Sequence, residues 1–262
     1  MTTVLELKAR LDALLSTAQV ETANIDLFAP IAVADREECP LCLIPLPMSN
    51  RSFMSCCGKL ICNGCVYKNL ETESDKGLRS IINHKCAFCR QPSLGGNTIK
   101  RLKKLMKKNN PQSFIQMADK YRSGDGVFQS DTKSLEMYIC AAELGNAEAY
   151  ENIGWHYEQG IVVEQNISKA FGFYEVAAKK GSVLAHRYLA ILHERIKNNQ
   201  LCIKHVKVAA CAGHQGSMDS LMKFYKAKLL SKEDLAQTLR DFQSSNNEMK
   251  SKDRDDARVL FD

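Results

Sequence analysis

The sequence lacks any apolar run approaching the roughly 18 residues that a membrane helix requires. Residues 1–10 hold neither an apolar signal core nor a small-residue cleavage site, which argues against secretion. From residue 111 onward no hydrolytic triad, phosphate-binding loop or paired acid/base carboxylates stand out. Acidic residues are missing from the whole stretch between Leu94 and Asn110. An even cysteine count is also lacking: with 11 cysteines, complete disulfide pairing is impossible. A reduced chain of the cytoplasm, or of the nucleus, is expected, with its thiolates available for metal.

What is present is unevenly placed. The net charge of +6 resides in one segment, where Lys100, Arg101, Lys103, Lys104, Lys107 and Lys108 follow one another closely. The rest of the chain is neutral, so no protein-wide field for nucleic acid exists. Leu102, Leu105 and Met106 at i, i+3, i+4 make this basic stretch a helix, and Gly95-Gly96 make its start flexible. Its first reading is the charged face of a connecting helix. A nuclear-targeting signal or a site for an acidic partner is the second, and nucleic-acid binding through Lys100 to Lys108 a weaker third.

Eight of the cysteines form four close pairs: Cys39/Cys42, Cys56/Cys57, Cys62/Cys65 and Cys86/Cys89. The C-x-x-C spacing of three pairs lets two thiolates grip one tetrahedral Zn²⁺, and eight ligands suffice for two ions. A domain this small has too little apolar surface for comfortable stability, and structural zinc contributes about 10–16 kcal/mol per site. Consecutive pairs can bind in separate modules or interleaved. His84, two residues before Cys86, is an alternative ligand to Cys56 or Cys57, since adjacent thiolates on one ion demand an unusual local backbone.

The phrases "CPLC", "CGKLIC" and "CAFCRQP", with the loop lengths between them, resemble a RING finger over Cys39 to Pro92. The resemblance implies that pairs one and three (Cys39, Cys42, Cys62, Cys65) hold the first zinc, and pairs two and four (Cys56, Cys57, Cys86, Cys89) the second. Lys59 stands where the common RING has histidine, so the all-cysteine subclass is the better match. FYVE-type lipid-binding fingers share the Cys-Gly-x-x-x-Cys centre. They carry a basic cluster before it, where this chain has Ser52-Phe53-Met54-Ser55. RING domains act as E3 ubiquitin ligases, and the resemblance makes Leu41 and Phe88 apolar contacts to the ubiquitin-conjugating E2 enzyme. Arg90 takes the place of the residue that hydrogen-bonds E2 and ubiquitin together. Ala87 replaces the usual proline of the last pair, and Asn69, beside Leu70, lies where the central helix often presents an apolar E2 contact.

Beyond residue 111 the chain repeats itself. Tyr121, Gly124, Lys133, Tyr138, Ala141, Ala142 and Gly145 recur 36 positions later as Tyr157, Gly160, Lys169, Tyr174, Ala177, Ala178 and Gly181. Such a period is the signature of a helical solenoid. Ala209-Ala210-Cys211-Ala212-Gly213 repeats the ending at an offset of 32, with His193 to Asn199 in place of the glycine loop. "YRSGDGV…DTKSLEMYICAAELGNAEA" and "YEQGIVV…ISKAFGFYEVAAKKGSVLA" resemble Sel1-like repeats, relatives of the tetratricopeptide repeat, which bind proteins. Tyr121, Trp155, Tyr157 and Tyr174 read as core, and Cys140, Cys202 and Cys211 as small buried or half-buried residues. In order and spacing, the two parts together resemble the RING–Sel1 proteins of microbial eukaryotes.

The expected fold is a small α+β zinc-stabilised RING domain joined to an all-α Sel1-like, TPR-like solenoid. The expected segments are an N-terminal helical segment (1–35, helical from Val4 to about Phe28), the RING (36–93), a basic linker helix (94–110), the repeats (111–220), and a capping helix with a polar tail (221–262). Ser231 to Asp234 reads as a capping box opening an apolar stripe of Leu235, Leu239 and Phe242, and the chain beyond Ser244 reads as frayed. The expected function is an E3 ubiquitin ligase that meets E2 and ubiquitin through the RING and an unknown protein through the repeats, with no membrane role. The alternative is a non-catalytic zinc-containing scaffold.

Overall fold

The structure is a computed structural model. It describes residues 3–31, 36–47, 51–74, 85–91 and 98–261. The chain divides into two units, each assembled from segments distant in sequence: Met1–Ile31 with Phe114–Gln243, and Ala32–Ser113 with Ser244–Asp262.

The first unit is a mostly helical solenoid of successive helix pairs, α4 (Pro111–Ser123) with α5 (Asp131–Glu143), α6 (Ala147–Gln159) with α7 (Ile167–Lys179), and α8 (Val183–Arg195) with α9 (Asn199–Cys211). α10 (Gln215–Lys226) and α11 (Lys232–Glu248) follow. Local chemistry sets the ends. Ser130, Asn146, Asn166, Ser182 and Asn198 cap successive helices through side-chain oxygens. The turn after α7 passes through Gly181 at φ 90°, a conformation that costs glycine nothing. Leu135, Tyr138, Ala142, Tyr157 and Tyr174 are buried as the repeat pattern requires, whereas Tyr121 and Trp155 are half-buried. Cys202 is buried and Cys140 and Cys211 half-buried. Tyr138 and Tyr174 occupy equivalent places, and each donates its hydroxyl to an acid of the preceding helix: Asp119 at 2.7 Å and Glu158 at 2.8 Å.

Gly154 of α6 marks the closest approach in this stack. A Cβ there would lie 2.7 Å from Tyr174 Cε1, and Tyr174 is pinned by its bond to Glu158 and its stacking on Tyr188. Gly154→Ala therefore lowers stability by about 1–3 kcal/mol through overpacking, although alanine normally improves a helix by about 1 kcal/mol. A fall in the urea midpoint at constant slope is the expected readout; an unchanged or higher midpoint refutes it.

α1 (Val4–Glu21) opens with a capping box of Thr3 and Glu6 and ends earlier than the expected Phe28, because Thr22 closes it with its hydroxyl on the Ala18 carbonyl. Leu7, Leu11 and Ala18 bury its apolar stripe against α5 and α7, flanked by Arg10–Glu143 and Lys169–Asp12 ion pairs. The segment after it brings Phe28 against His205 of α9. The N-terminal helix thus braces the second helices of the repeats. Ser231 accepts from the Asp234 N–H and caps α11, whose Leu235 and Phe242 cover the core around Cys202 and Leu221, while Leu239 faces solvent.

The second unit holds a two-stranded antiparallel sheet, β1 (Arg51–Met54) and β2 (Lys59–Cys62), paired from Arg51↔Cys62 to Met54↔Lys59. α2 (Asn63–Ser74) continues directly from β2. The basic helix α3 (Thr98–Met106) belongs here: Leu102 and Leu105 are buried while Lys100, Lys103 and Lys104 are exposed. Gly95 and Gly96 lie outside the described residues. The chain past Ser244, expected to fray, instead forms α12 (Lys252–Phe261), which packs on α2. Arg254 and Ala257 of this helix are both buried, so a stretch that reads as polar still has a packed face. Among the described residues no helix is long and apolar enough to cross a membrane.

Candidate metal centre

The two outer C-x-x-C pairs adopt the same turn. The Leu43 N–H donates to the Cys39 carbonyl (2.9 Å) and the Cys39 N–H to the Ile44 carbonyl (3.0 Å). In the other turn the Arg90 N–H donates to the Cys86 carbonyl (3.0 Å) and the Cys86 N–H to the Gln91 carbonyl (2.7 Å). In both, the residue after the second cysteine takes positive φ: 56° at Leu43 and 60° at Arg90. This reversal points both sulfurs of a pair to the same side. The third pair straddles a junction, with Cys62 ending β2 and Cys65 in the first turn of α2. The second pair occupies the turn between β1 and β2, where the Cys57 and Gly58 N–H groups both donate to the Met54 carbonyl. That tight reversal, completed by Gly58 at φ 75°, lets adjacent Cys56 and Cys57 face one point with neither in a left-handed conformation.

Tertiary folding gathers the sulfurs into two groups of four: Cys39, Cys42, Cys62 and Cys65, and Cys56, Cys57, Cys86 and Cys89. Within each, all ligand atoms lie within 4.8 Å of one another. Cys39 and Cys65 are 3.9 Å apart, Cys42 and Cys62 3.8 Å, Cys57 and Cys86 3.9 Å, and Cys56 and Cys89 3.4 Å. A tetrahedron with metal–sulfur bonds of about 2.3 Å has edges of about 3.8 Å, far longer than a disulfide. Each group can therefore hold a metal ion. His84 lies outside the described residues.

The electrostatics agree. Burial first, and then the charge of Cys39, pushes the Cys65 thiol up to about 12. Burial, with the charges of Cys86 and Cys89 and against a hydrogen bond from the Lys59 N–H, pushes Cys57 up to about 11. Thiols crowded this way resist ionising together unless a cation joins them, and a coordinating metal deprotonates them outright. Beyond the cysteines, the buried hydrophobic core of this unit around the sulfurs is Leu46, Leu60 and Ile61.

The surface residues expected from the sequence lie beside the two groups, Leu41 in the turn of the first and Phe88 and Arg90 in that of the second. Phe88 is 42% exposed and Leu41, in the first turn, 40%. The exposed Arg90 donates from Nη1 to Asn69 Oδ1 of α2 at 2.8 Å, and Asn69 in turn donates to the Lys85 carbonyl. Lys59 places its ammonium 6.0 Å from the Phe88 ring centroid. Contributions from two distant segments carry no sequence signal. Leu105 and Asn110 pack against Gly58, and Arg254 reaches Cys42 from the far end of the chain. No local motif announces either.

A model of the Sel1 repeat matches residues 115–146 and 147–182, so the pairs α4–α5 and α6–α7 are Sel1 repeats. The E3 ubiquitin-protein ligase GW2 of rice, from Oryza sativa subsp. indica and subsp. japonica, is 39% identical over 62 residues, or 24% of this chain. The match spans 13% of those relatives' own length. Among solved structures, c5321, a protective antigen of uropathogenic Escherichia coli with an SLR fold, superposes with a TM-score of 0.50 at 22% identity, covering 67% of this chain and 40% of that one. A Sel1 repeat protein of Oxalobacter formigenes gives a TM-score of 0.45 at 25% identity, covering 49% of this chain and 99% of the other. The fold is that of a Sel1-type helical solenoid with a small cysteine-rich region carrying short antiparallel strands.

Proposed function

We propose that this protein is a RING-type E3 ubiquitin ligase. Its two four-cysteine groups each hold a structural Zn²⁺, and its Sel1 repeats recruit the protein to be modified. The observation that carries this reading is the crosswise gathering of pairs one with three and two with four at tetrahedral sulfur spacing, with Leu41, Phe88 and Arg90 exposed beside them. Identity to part of a rice E3 ligase supports it.

In this role no residue of the chain forms a bond to ubiquitin. Zinc fixes the two turns in place. Leu41 and Phe88 offer apolar contact to an E2 carrying ubiquitin as a thioester. Arg90, with a planar guanidinium able to bridge two acceptors, holds E2 and ubiquitin in the orientation open to attack. Asn69 engages one N–H of the Arg90 guanidinium and leaves its other donors for that bridge. The repeats serve as the partner-binding element, α1 having already covered the face formed by α5 and α7. A cytoplasmic or nuclear place of action fits reduced thiolates.

Auto-ubiquitination with a panel of E2 enzymes tests the proposal. Wild-type protein is expected to build ubiquitin conjugates with at least one E2, and Arg90→Ala to reduce the rate tenfold or more with the zinc content unchanged. Activity indifferent to Arg90 refutes the assigned role. The second reading, a non-catalytic scaffold, draws on the same pairing of Arg90 with Asn69 and of Lys59 with Phe88. It requires that no E2 perturb the Leu41, Phe88 and Arg90 resonances in an NMR titration.

A further inference from the structure

We infer that the C-terminal helix α12 is a working part of the metal domain, and that Arg254 is a positioning residue for the first cysteine group. The inference rests on the zinc reading above and adds a residue that no cysteine motif contains.

Arg254 is only 8% exposed, although arginine is seldom buried without partners. Its Nη1 donates to the carbonyls of Pro45 and Met249, both at 2.8 Å. Its Nη2 donates to the Ile44 carbonyl at 3.0 Å and approaches Cys42 Sγ at 3.6 Å. Ile44 and Pro45 are the residues that complete the Cys39–Cys42 turn, and the Ile44 carbonyl also receives the Cys39 N–H. The guanidinium therefore ties the turn bearing two sulfurs to the start of α12. Its planar fork suits this task, which a lysine ammonium does not reproduce.

The same helix meets the other pair of the group. Gly64 lies between Cys62 and Cys65, and a Cβ on it would come within 2.7 Å of the Arg254 backbone nitrogen and 2.8 Å of the Asp253 carbonyl carbon. One turn along α2, Lys68 pairs with Asp253 at 3.2 Å. So α12 touches both halves of the first group, one through a side chain and one by backbone against glycine. The hydrogen bonds of the Arg254 guanidinium fall on this group's first turn and on Met249.

The charge is well chosen. Four thiolates around Zn²⁺ leave a net charge of about −2 at the site. A buried guanidinium beside one sulfur offsets it and fixes the ligand's orientation, as outer partners of metal ligands commonly do. Retention of the first ion therefore depends on residues about 200 positions away, and a fragment spanning only 36–93 lacks them.

The experiment is zinc release from the full-length protein to a chromogenic chelator, followed together with amide resonances. Wild-type protein is expected to give up two ions. In Arg254→Ala one of them leaves at least tenfold faster, with the Cys42 and Gly64 resonances changing in that phase, while the phase reported by Cys57 and Cys89 keeps its rate. Gly64→Ala, a change that in an ordinary helix interior is stabilising, accelerates the same phase by displacing α12. The double variant is less than multiplicative, since both act through one contact. Should Arg254→Ala yield insoluble protein, Gly64→Ala alone decides. Unchanged release in both variants, or equal acceleration of both ions, overturns the inference. Fewer than two zinc ions in the wild type overturns the zinc reading itself, and this inference with it.

Discussion

Stripping the metal will unfold the cysteine-rich unit and leave the helical repeats standing. A strong chelator, or Cys62→Ser, should abolish the dispersed NMR signals of residues 36–91 while most of the far-UV helical signal persists. The reasoning is energetic. The core around the sulfurs has Leu46, Leu60 and Ile61 as its buried residues other than cysteine. Small domains of this kind have little stability of their own, and each structural zinc contributes about 10–16 kcal/mol at neutral pH. That is comparable to the 5–15 kcal/mol of a typical whole domain, so losing one ion suffices. Metal analysis should return two equivalents before treatment, and zinc uptake by the stripped protein should release protons, because the thiols of an unfolded chain are mostly protonated at neutral pH and zinc binds them as thiolates. A unit that keeps its dispersed spectrum after complete metal removal would falsify the reading.

Acid will unfold the other unit through its buried histidines. His186 and His205 are each 1% exposed, and their Nδ1 atoms are 3.1 Å apart, with His193 stacked on His205. Burial pulls His186 down to about 4. Burial, and then the neighbouring His186 and His193, pull His205 down to about 3. Buried His156, held at Nδ1 by the Ile161 carbonyl, is lowered by burial as well. These are bases whose folded values fall below the unfolded value of about 6.5, so the unfolded chain binds more protons in the window between. Stability is then complete above about pH 6.5 and declines as pH falls toward 4 and 3. His186 alone accounts for about 3 kcal/mol over that window, about 2 kcal/mol of it by pH 5. Trp155, the chain's single tryptophan, reports on the repeats without interference from the metal unit. Its urea midpoint should drop between pH 7 and pH 5, and His205→Gln should flatten the profile. A midpoint that holds or rises on acidification would rule the mechanism out.

These two expectations come from different depths of the molecule. The cysteine pairs were visible in the chain because zinc ligation imposes short, fixed spacings. The repeats were visible because each unit faces the same packing problem and solves it with the same tyrosine, alanines and glycine. Even Tyr138 and Tyr174 disclose their equivalence before their acid partners are known. By contrast, His186 and His205 stand on successive helices at no recognisable spacing, and nothing local distinguishes them from solvated histidines. The adjacency of Cys56 and Cys57 looked unfavourable for one ion until the β1–β2 turn showed how neighbouring residues can face one point.

The ends of the chain mark the same boundary. α1 was legible as a helix, but its cover, the second helices of two repeats, follows from packing over more than a hundred residues. α12 lies in a stretch that reads as polar, and among the described residues Arg254, buried Ala257 and the close approach that Gly64 permits hold it. Sequence alone determined ligand spacing, repeat period and helix caps, because those interactions reach only a few residues along the backbone. The tertiary structure decided which sulfurs share a site, which histidines lose their water and which distant helix closes the metal domain. Such contacts depend on free energies of burial and charge that exist only once remote segments meet.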